Sequence, residues 1–485
     1  MDWPIFPFTR AIDCRYSGDI LQRPIHPLKY RYRRILNWLP MGLAYAFLYF
    51  GRYNLTVAKS ALGDEIMSKA DFGLIFAIGA WVYGFAFLIN GPLTDRIGGR
   101  MAMLIGVLGA LWMNLLMGLV LYGNTLWQWN VPVVESFVVL YALNMYFQSF
   151  GAVSIVTVKA PWFHVRERGT FSTLFGIVIS LGIYFAFDWG YAVVQRTRAS
   201  VTASGLNENW WLFFVPAVAL AVLWVVMLLW LCDRPSQAGF PDFDTGEGKL
   251  SESGEREPVK RVFRRIITHP VLMVVCMVEF CSGILRNGVM HWYPIMAKEV
   301  GFYKTFAVTH HWGLALLICG VIGGASDRFF ESKRAPMAAI LYVVMICASI
   351  AMVLTLGIGY WPTGIMALAI SMSVIGVHGI FSGTATADFA GTKNTGAAVA
   401  IVDGMVYLGT GIQAIAIGMI APTGEAAKNP ANWFLWPLFL VPFAVIGLLL
   451  SLRIWHALPH MLPQQLSFRF NRKPSRDISS ECSSS

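Results

Sequence analysis

The sequence predicts an all-α polytopic membrane protein whose twelve transmembrane helices form two six-helix bundles. Three observations carry that prediction: a charge content too low for a soluble surface, apolar runs of spanning length, and a repeat that pairs the two halves of the chain.

Of 485 residues, 13% are charged and 56% hydrophobic, with mean hydropathy +0.58. A soluble chain of this size needs far more charge to cover itself, so lipid is the expected solvent. The 18 Trp and 33 Phe suit interfacial belts and lipid-facing packing. Cys14, Cys232, Cys276, Cys281, Cys319, Cys347 and Cys482 are scattered and mostly within apolar runs. They read as small apolar residues, without the spacing of a disulfide framework or zinc site, and neither metal nor cofactor is expected. Residues 1–36 carry seven Lys/Arg and no long apolar core, so no cleavable signal peptide is expected. The closing Cys482-Ser-Ser-Ser lacks the aliphatic middle of a prenylation box.

Runs of about 20 apolar residues can cross a hydrocarbon core as helices. Twelve lie near 37–59, 72–94, 101–122, 134–160, 168–190, 210–232, 270–296, 306–326, 337–357, 362–390, 396–421 and 432–456. The longest polar stretch between them, 233–269, divides six from six and ends in Lys260-Arg261-Val262-Phe263-Arg264-Arg265. It reads as a solvated linker with a short piece lying on the membrane. The expected units are a segment 1–36, a bundle 37–232, the linker 233–269, a second bundle 270–456 and a tail 457–485. Both termini and the loops on their side hold 28 of the 37 Lys/Arg, and the opposite loops hold seven. Positive residues gather on the cytoplasmic side, so both termini are expected there, in a plasma (bacterial inner) membrane. That placement also explains the net charge of +10 without nucleic acid.

The repeat rests on two features. Gly91-Pro-Leu-Thr-Asp95-Arg96, followed by Arg100, closes the second span; Gly323-Gly-Ala-Ser-Asp327-Arg328 closes the eighth, 232 residues later. Arg52 and Arg286, the two arginines inside apolar spans, recur at an offset of 234. Near-equal offsets of independent features indicate duplicated halves in one orientation. Gly91 and Gly323 allow close helix approach, and the Asp–Arg charges can pair in one conformation and part in the other. Arg96, Arg100 and Arg328 also fit the positive-inside bias alone.

Tyr45, Tyr49 and Arg52 are spaced i, i+4, i+7 and share one helical face, and Glu279 stands two turns before Arg286. An arginine at mid-membrane costs about 2.5–3.5 kcal/mol on insertion scales, so two at matched depth need a purpose. Each guanidinium offers a planar fork for phosphate or carboxylate oxygens, and the pair can grip one anion between the halves. Alternatively each pairs internally, Arg286 with Glu279 above all.

These residues resemble the organophosphate:phosphate antiporter family of the major facilitator superfamily. The resemblance runs over residues 35–456 and rests on Tyr45/Tyr49/Arg52, on Arg286-Asn-Gly-Val-Met-His-Trp292-Tyr-Pro294 with Lys298-Glu299-Val300, on Arg166-Glu-Arg-Gly169 and on Asp233-Arg-Pro235. It implies the major facilitator fold and a phosphoryl group held by Arg52 and Arg286, with Tyr45, Tyr49 and Asn287 beside it. Departures are clear: Tyr53 follows Arg52 where the family has lysine, Phe87 fills a lysine position, and Phe175-Gly176 and Ile179-Ser180 replace Trp-Asn and His-Asn.

Glu279, His378 and Asp403 are the remaining ionisable residues deep in spans and are candidates to carry protons; Asp403 also suits a buried hydrogen-bonded role. His291 and Asp188, near outer ends, are expected to be interfacially exposed. His310-His311 reads as a helix start. The expected function is exchange of an organic phosphate (glycerol or sugar phosphate) for inorganic phosphate by alternating access, in a monomer whose partners are the small anion and the bilayer. Proton-coupled organic-anion symport and a transporter-like sugar-phosphate sensor are the alternatives. No nucleophile–base pair or nucleotide motif suggests an enzyme.

Overall fold

A computed structural model describes residues 26–164, 181–200, 209–243, 268–302, 334–381 and 395–455, with isolated positions such as Val178 and Arg261. Every long element among them is a helix: α1 Leu28–Leu62, α2 Lys69–Ile97, α3 Gly99–Leu126, α4 Val133–Trp162, α5 Gly190–Ser200, α6 Trp211–Trp230, α7 Pro270–Glu299, α8 Arg334–Thr355, α9 Tyr360–His378, α10 Thr395–Ile420 and α11 Leu435–Arg453. A single π turn, Phe185–Trp189, leads into α5. Nine of the described helices are long and apolar enough to cross a membrane. α1 has spanning length too, 35 residues, and buries its polar Arg52, Asn54 and Lys59 inside the bundle. The expected span 306–326, most of 168–190, the tail from 456, and Gly323, Asp327 and Arg328 lie outside the described residues.

The helices begin where capping chemistry dictates. Ser68 caps α2 by accepting from the Asp71 amide at 3.1 Å, while the Asp71 carboxylate accepts the Ser68 amide at 2.9 Å. Pro270 opens α7 at a position where its missing N–H costs nothing.

Two sequence boundaries shift. α1 begins at Leu28 rather than 37, because its first two turns are amphipathic, exposing Leu28, Tyr32 and Ile35 while Tyr30 packs inward. The start of the expected solvated linker docks on the bundle instead. Asp233 Oδ1 accepts the Arg100 amide at 2.7 Å, Pro235 is buried, and Phe240 and Phe243 pack on Tyr30 at 5.5 and 5.9 Å. Apolar and acidic side chains in 233–243 find partners there that the polar character of the segment as a whole conceals.

The first six elements pack around α1, α3, α4 and α6, and the later ones around α7, α9, α10 and α11. The two groups meet where α2 lies along α10 and α1 crosses α7. Within the second group α7 and α10 approach closely, because a Cβ at Gly283 would collide with the Val406 carbonyl.

Candidate substrate-binding site

Arg52 sits at the middle of the first group, 1% exposed. Its Nε donates to Gln148 Oε1 at 3.0 Å and its Nη1 to the Tyr407 hydroxyl at 3.1 Å. The guanidinium lies over the rings of Tyr49 (4.7 Å) and Tyr83 (4.4 Å), while Nη2 has no hydrogen-bond partner. Delocalised charge above aromatic faces is stabilised without any anion of the protein's own.

A chain of amides fixes that arginine. Gln148 Nε2 and Asn114 Nδ2 both donate to Asn144 Oδ1, at 3.2 and 3.1 Å, and Asn54 Nδ2 donates to Asn114 Oδ1 at 2.9 Å. Asn144 Nδ2 and the Tyr141 hydroxyl hold the carbonyls of Gly51 and Arg52, at 3.0 and 3.1 Å. Gly51 is required here, since a Cβ would stand 2.8 Å from Asn114 Nδ2. These residues were not singled out from the sequence. Their signal is the presence of amides in otherwise apolar spans, where each buried polar group must find a partner.

Arg286 comes from α7, 8% exposed, with its Nε unbonded. Its electrostatic neighbours are the phenols of Tyr53, Tyr49 and Tyr407. Tyr49 and Tyr407 therefore adjoin both arginines, and the fold brings a guanidinium from each half to one tyrosine-lined site. Neither arginine forms an ion pair with a carboxylate among the described residues. The alternative pairing of Arg286 with Glu279 is not formed: Glu279 Oε2 faces His378 Nδ1 at 3.0 Å instead. Tyr45 is buried with its ring 5.3 Å from that of Tyr49.

Other expected site residues behave differently. Asn287 is bonded between helices: its Nδ2 donates to Thr410 Oγ1 at 2.8 Å, joining α7 to α10. Glu279, His378 and Asp403, from three helices, do converge, since Asp403 and Arg286 both act on His378 along with Glu279. Gly91 faces open space rather than a neighbouring helix. Asp95 and Arg96 are exposed, and Arg100 donates from Nη2 to the Leu228 carbonyl at 2.8 Å.

His291 and Asp188 are buried, not interfacial. His291 lies in the seam between the two groups: its Nδ1 is 2.6 Å from Thr56 Oγ1 of α1 and its ring 4.0 Å from Phe76 of α2. For His291 the reason is that the seam is closed at this end and the opposite group covers it, whereas Asp188, in the π turn, lies against α1 of its own group.

Charge completes the closure. Lys59 donates to Asp64 at 2.6 Å, and Lys69 reaches Asp64 at 3.1 Å and Glu299 of α7 at 2.8 Å, with Trp433 5.7 Å above it. Both lysines are buried, although Lys59 is the last residue of one expected span and Lys69 lies just before the next. Burial alone would raise the Asp64 pKa, but hydrogen bonds and charge from Lys59 and Lys69 outweigh it and hold the carboxyl below its usual value. The closed end is the one away from Leu28 and Arg453.

Comparison with known proteins agrees with this architecture. The family model described as Major Facilitator Superfamily matches residues 41–414. The chain is 25% identical over 400 residues to "Membrane sensor protein UhpC" of Escherichia coli, covering 79% of this chain and 85% of that one. It is 24% identical over 466 residues to a "Probable hexose phosphate transport protein" of Chlamydia pneumoniae, covering 91% and 96%. It is 23% identical over 327 residues to the "Glycerol-3-phosphate transporter" of Bacillus subtilis, covering 64% and 68%. Among solved structures, a bacterial homologue of the human lysosomal transporter Spinster, inward-facing and unoccupied, superposes with TM-score 0.68 at 15% identity, over 90% of this chain and 100% of that one.

Proposed function

This chain belongs to the Major Facilitator Superfamily, and from that premise we propose that it carries small organic phosphates across the membrane in exchange for inorganic phosphate. The observation that carries the reading is the pair of buried guanidinium groups, one from α1 and one from α7, with no carboxylate among the described residues paired to either and two tyrosines in common. Such a site accepts a compact dianion: two planar forks take oxygens from two sides, and phenol hydroxyls supply further donors. Relatives named for hexose phosphate and glycerol 3-phosphate support phosphate as the shared headgroup.

Transport follows from the two-part construction. The bundles 37–232 and 270–456, joined by 233–269, rock about the central anion, and a monomer suffices. Both termini are cytoplasmic in a bacterial inner membrane, which makes the closed end periplasmic and this conformation inward-open. Asp95, Arg96 and Arg100, with Asp327 and Arg328 in the second half, act on the cytoplasmic side when that end closes.

The test is counterflow in vesicles of the purified full-length protein. Labelled glycerol 3-phosphate or hexose 6-phosphate enters at least severalfold faster with phosphate inside than without. Equal rates with and without internal anion would overturn the exchange. The relative named as a membrane sensor motivates a second reading, in which the protein binds a sugar phosphate as a signal. Saturable binding without any counterflow would favour it.

A further inference from the structure

The anion site has a titratable neighbour. Glu279 is wholly buried in α7; its Oε2 lies 3.0 Å from His378 Nδ1, and its Oε1 has no hydrogen-bond partner. The His378 side chain is 27% exposed at the end of α9. The groups facing the pair are Arg286 and Cys276 of α7, Tyr342 of α8 and Asp403 of α10. Tyr342 is committed to the Val278 carbonyl at 2.8 Å, so it gives Glu279 no proton.

A buried carboxylate with one unpartnered oxygen is costly to keep charged unless a cation stands beside it. An imidazole bonded through Nδ1 supplies that cation when water delivers a proton to Nε2, and the proton leaves by the same atom. Among the described residues, Glu279 and Asp403 as carboxylates balance the two arginines when His378 is neutral, so these groups sum to zero charge. A dianion entering the site leaves an excess of two negative charges. One proton on the pair removes half of that excess, so anion and proton each tighten the binding of the other. Among the described residues the arginine of the first half has no counterpart of this: its partners are an amide and a phenol.

The geometry points to Glu279 and His378 as a proton-binding site that loads together with the anion, each phosphate or organic phosphate travelling with a proton. This rests on the anion-carrier reading above and adds what the site takes up besides the anion.

Calorimetric titration of the full-length protein with inorganic phosphate, in buffers of differing ionisation heat from pH 5.5 to 8.5, counts protons taken up per anion bound. Phosphate's own titration is common to all variants and cancels in the difference. Wild type takes up close to one proton more than Glu279→Gln and His378→Gln at the pH of greatest difference, and those variants still bind phosphate. Binding with the same proton count as wild type in both variants at every pH overturns the inference while leaving the anion site intact. Failure of wild type to bind phosphate or the organic phosphates defeats the carrier reading and this inference with it. Should Glu279→Gln not fold, His378→Gln decides alone, since a merely structural loss does not change protons per anion.

Discussion

Arg52 and Arg286 stand at matched positions of a repeated bundle, yet their surroundings share little besides two tyrosines. Arg52 is locked by Gln148, by an amide chain through Asn144, Asn114 and Asn54, and by rings on two sides. Arg286 has an unbonded Nε and stands two turns from a buried Glu279–His378 pair, with Asp403 close by. One guanidinium is an anchor whose field is fixed; the other sits in a field that a proton changes. On the proposed reading the two halves share the charge that meets the substrate and differ in its supporting groups, because only the charge must appear on both sides of an anion.

The largest test of that comparison removes the forks themselves. Arg52→Lys and Arg286→Lys each lower phosphate affinity by roughly 100-fold or more, about 2.7 kcal/mol, since an ammonium cannot bind two oxygens in plane. Radioligand binding reads this, and a lysine variant within threefold of wild type at either position would remove that arginine from the site. Next, Gln148→Glu places a carboxylate against Arg52 Nε, 3.0 Å away in the native structure. Anion affinity then falls roughly 10- to 100-fold as the anchor is sealed in an internal pair, while the helical circular dichroism stays native. Retained affinity would mean that the amide chain does not define the anchor.

A smaller effect comes from bracing alone. Asn144→Leu leaves Gly51 O, Asn114 and Gln148 short of a partner and destabilises the protein by about 1–3 kcal/mol, read as a lower melting temperature. Smallest is the closed end. Glu299→Gln breaks the Lys69 contact across the seam and raises the outward-open population roughly three- to tenfold, seen by dipolar distances between spin labels. The Asp64 pairs behave oppositely to the inner proton site on pH change. With its pKa held down, the carboxylate stays charged above its usual value near 4, and its contribution is lost only as pH falls through the lowered one. Those distances are therefore unchanged from pH 5 to 8, where proton uptake at Glu279–His378 is expected to vary; movement at the seam in that range would break the contrast.

Much of this was legible before any coordinates. Arg52 and Arg286 stand out because a charge in an apolar run is rare, and Glu279, His378 and Asp403 stand out for the same reason. Amides are quieter: Asn114, Asn144 and Gln148 cost less to bury, so hydropathy passes over them. Lys69 and Glu299 were hidden differently, for a charge at a span end reads as a loop residue until an opposing helix covers it. Asn287 stands out in the sequence only as the neighbour of Arg286, and its bond to Thr410 of α10 is visible only in the fold.

What the chain order carries by itself is the approximate limits of the apolar spans that the described helices cover, and the presence of isolated charges within them. Those follow from bilayer thickness and desolvation, which act on local runs of residues. Which groups meet is decided only in three dimensions. Glu279 finds His378 99 residues away, Arg52 finds Tyr407 355 residues away, and Lys69 is met by Glu299 of α7 and by Trp433. A buried polar atom takes its partner from whichever helix packing sets beside it, and packing is a property of the assembled bundle.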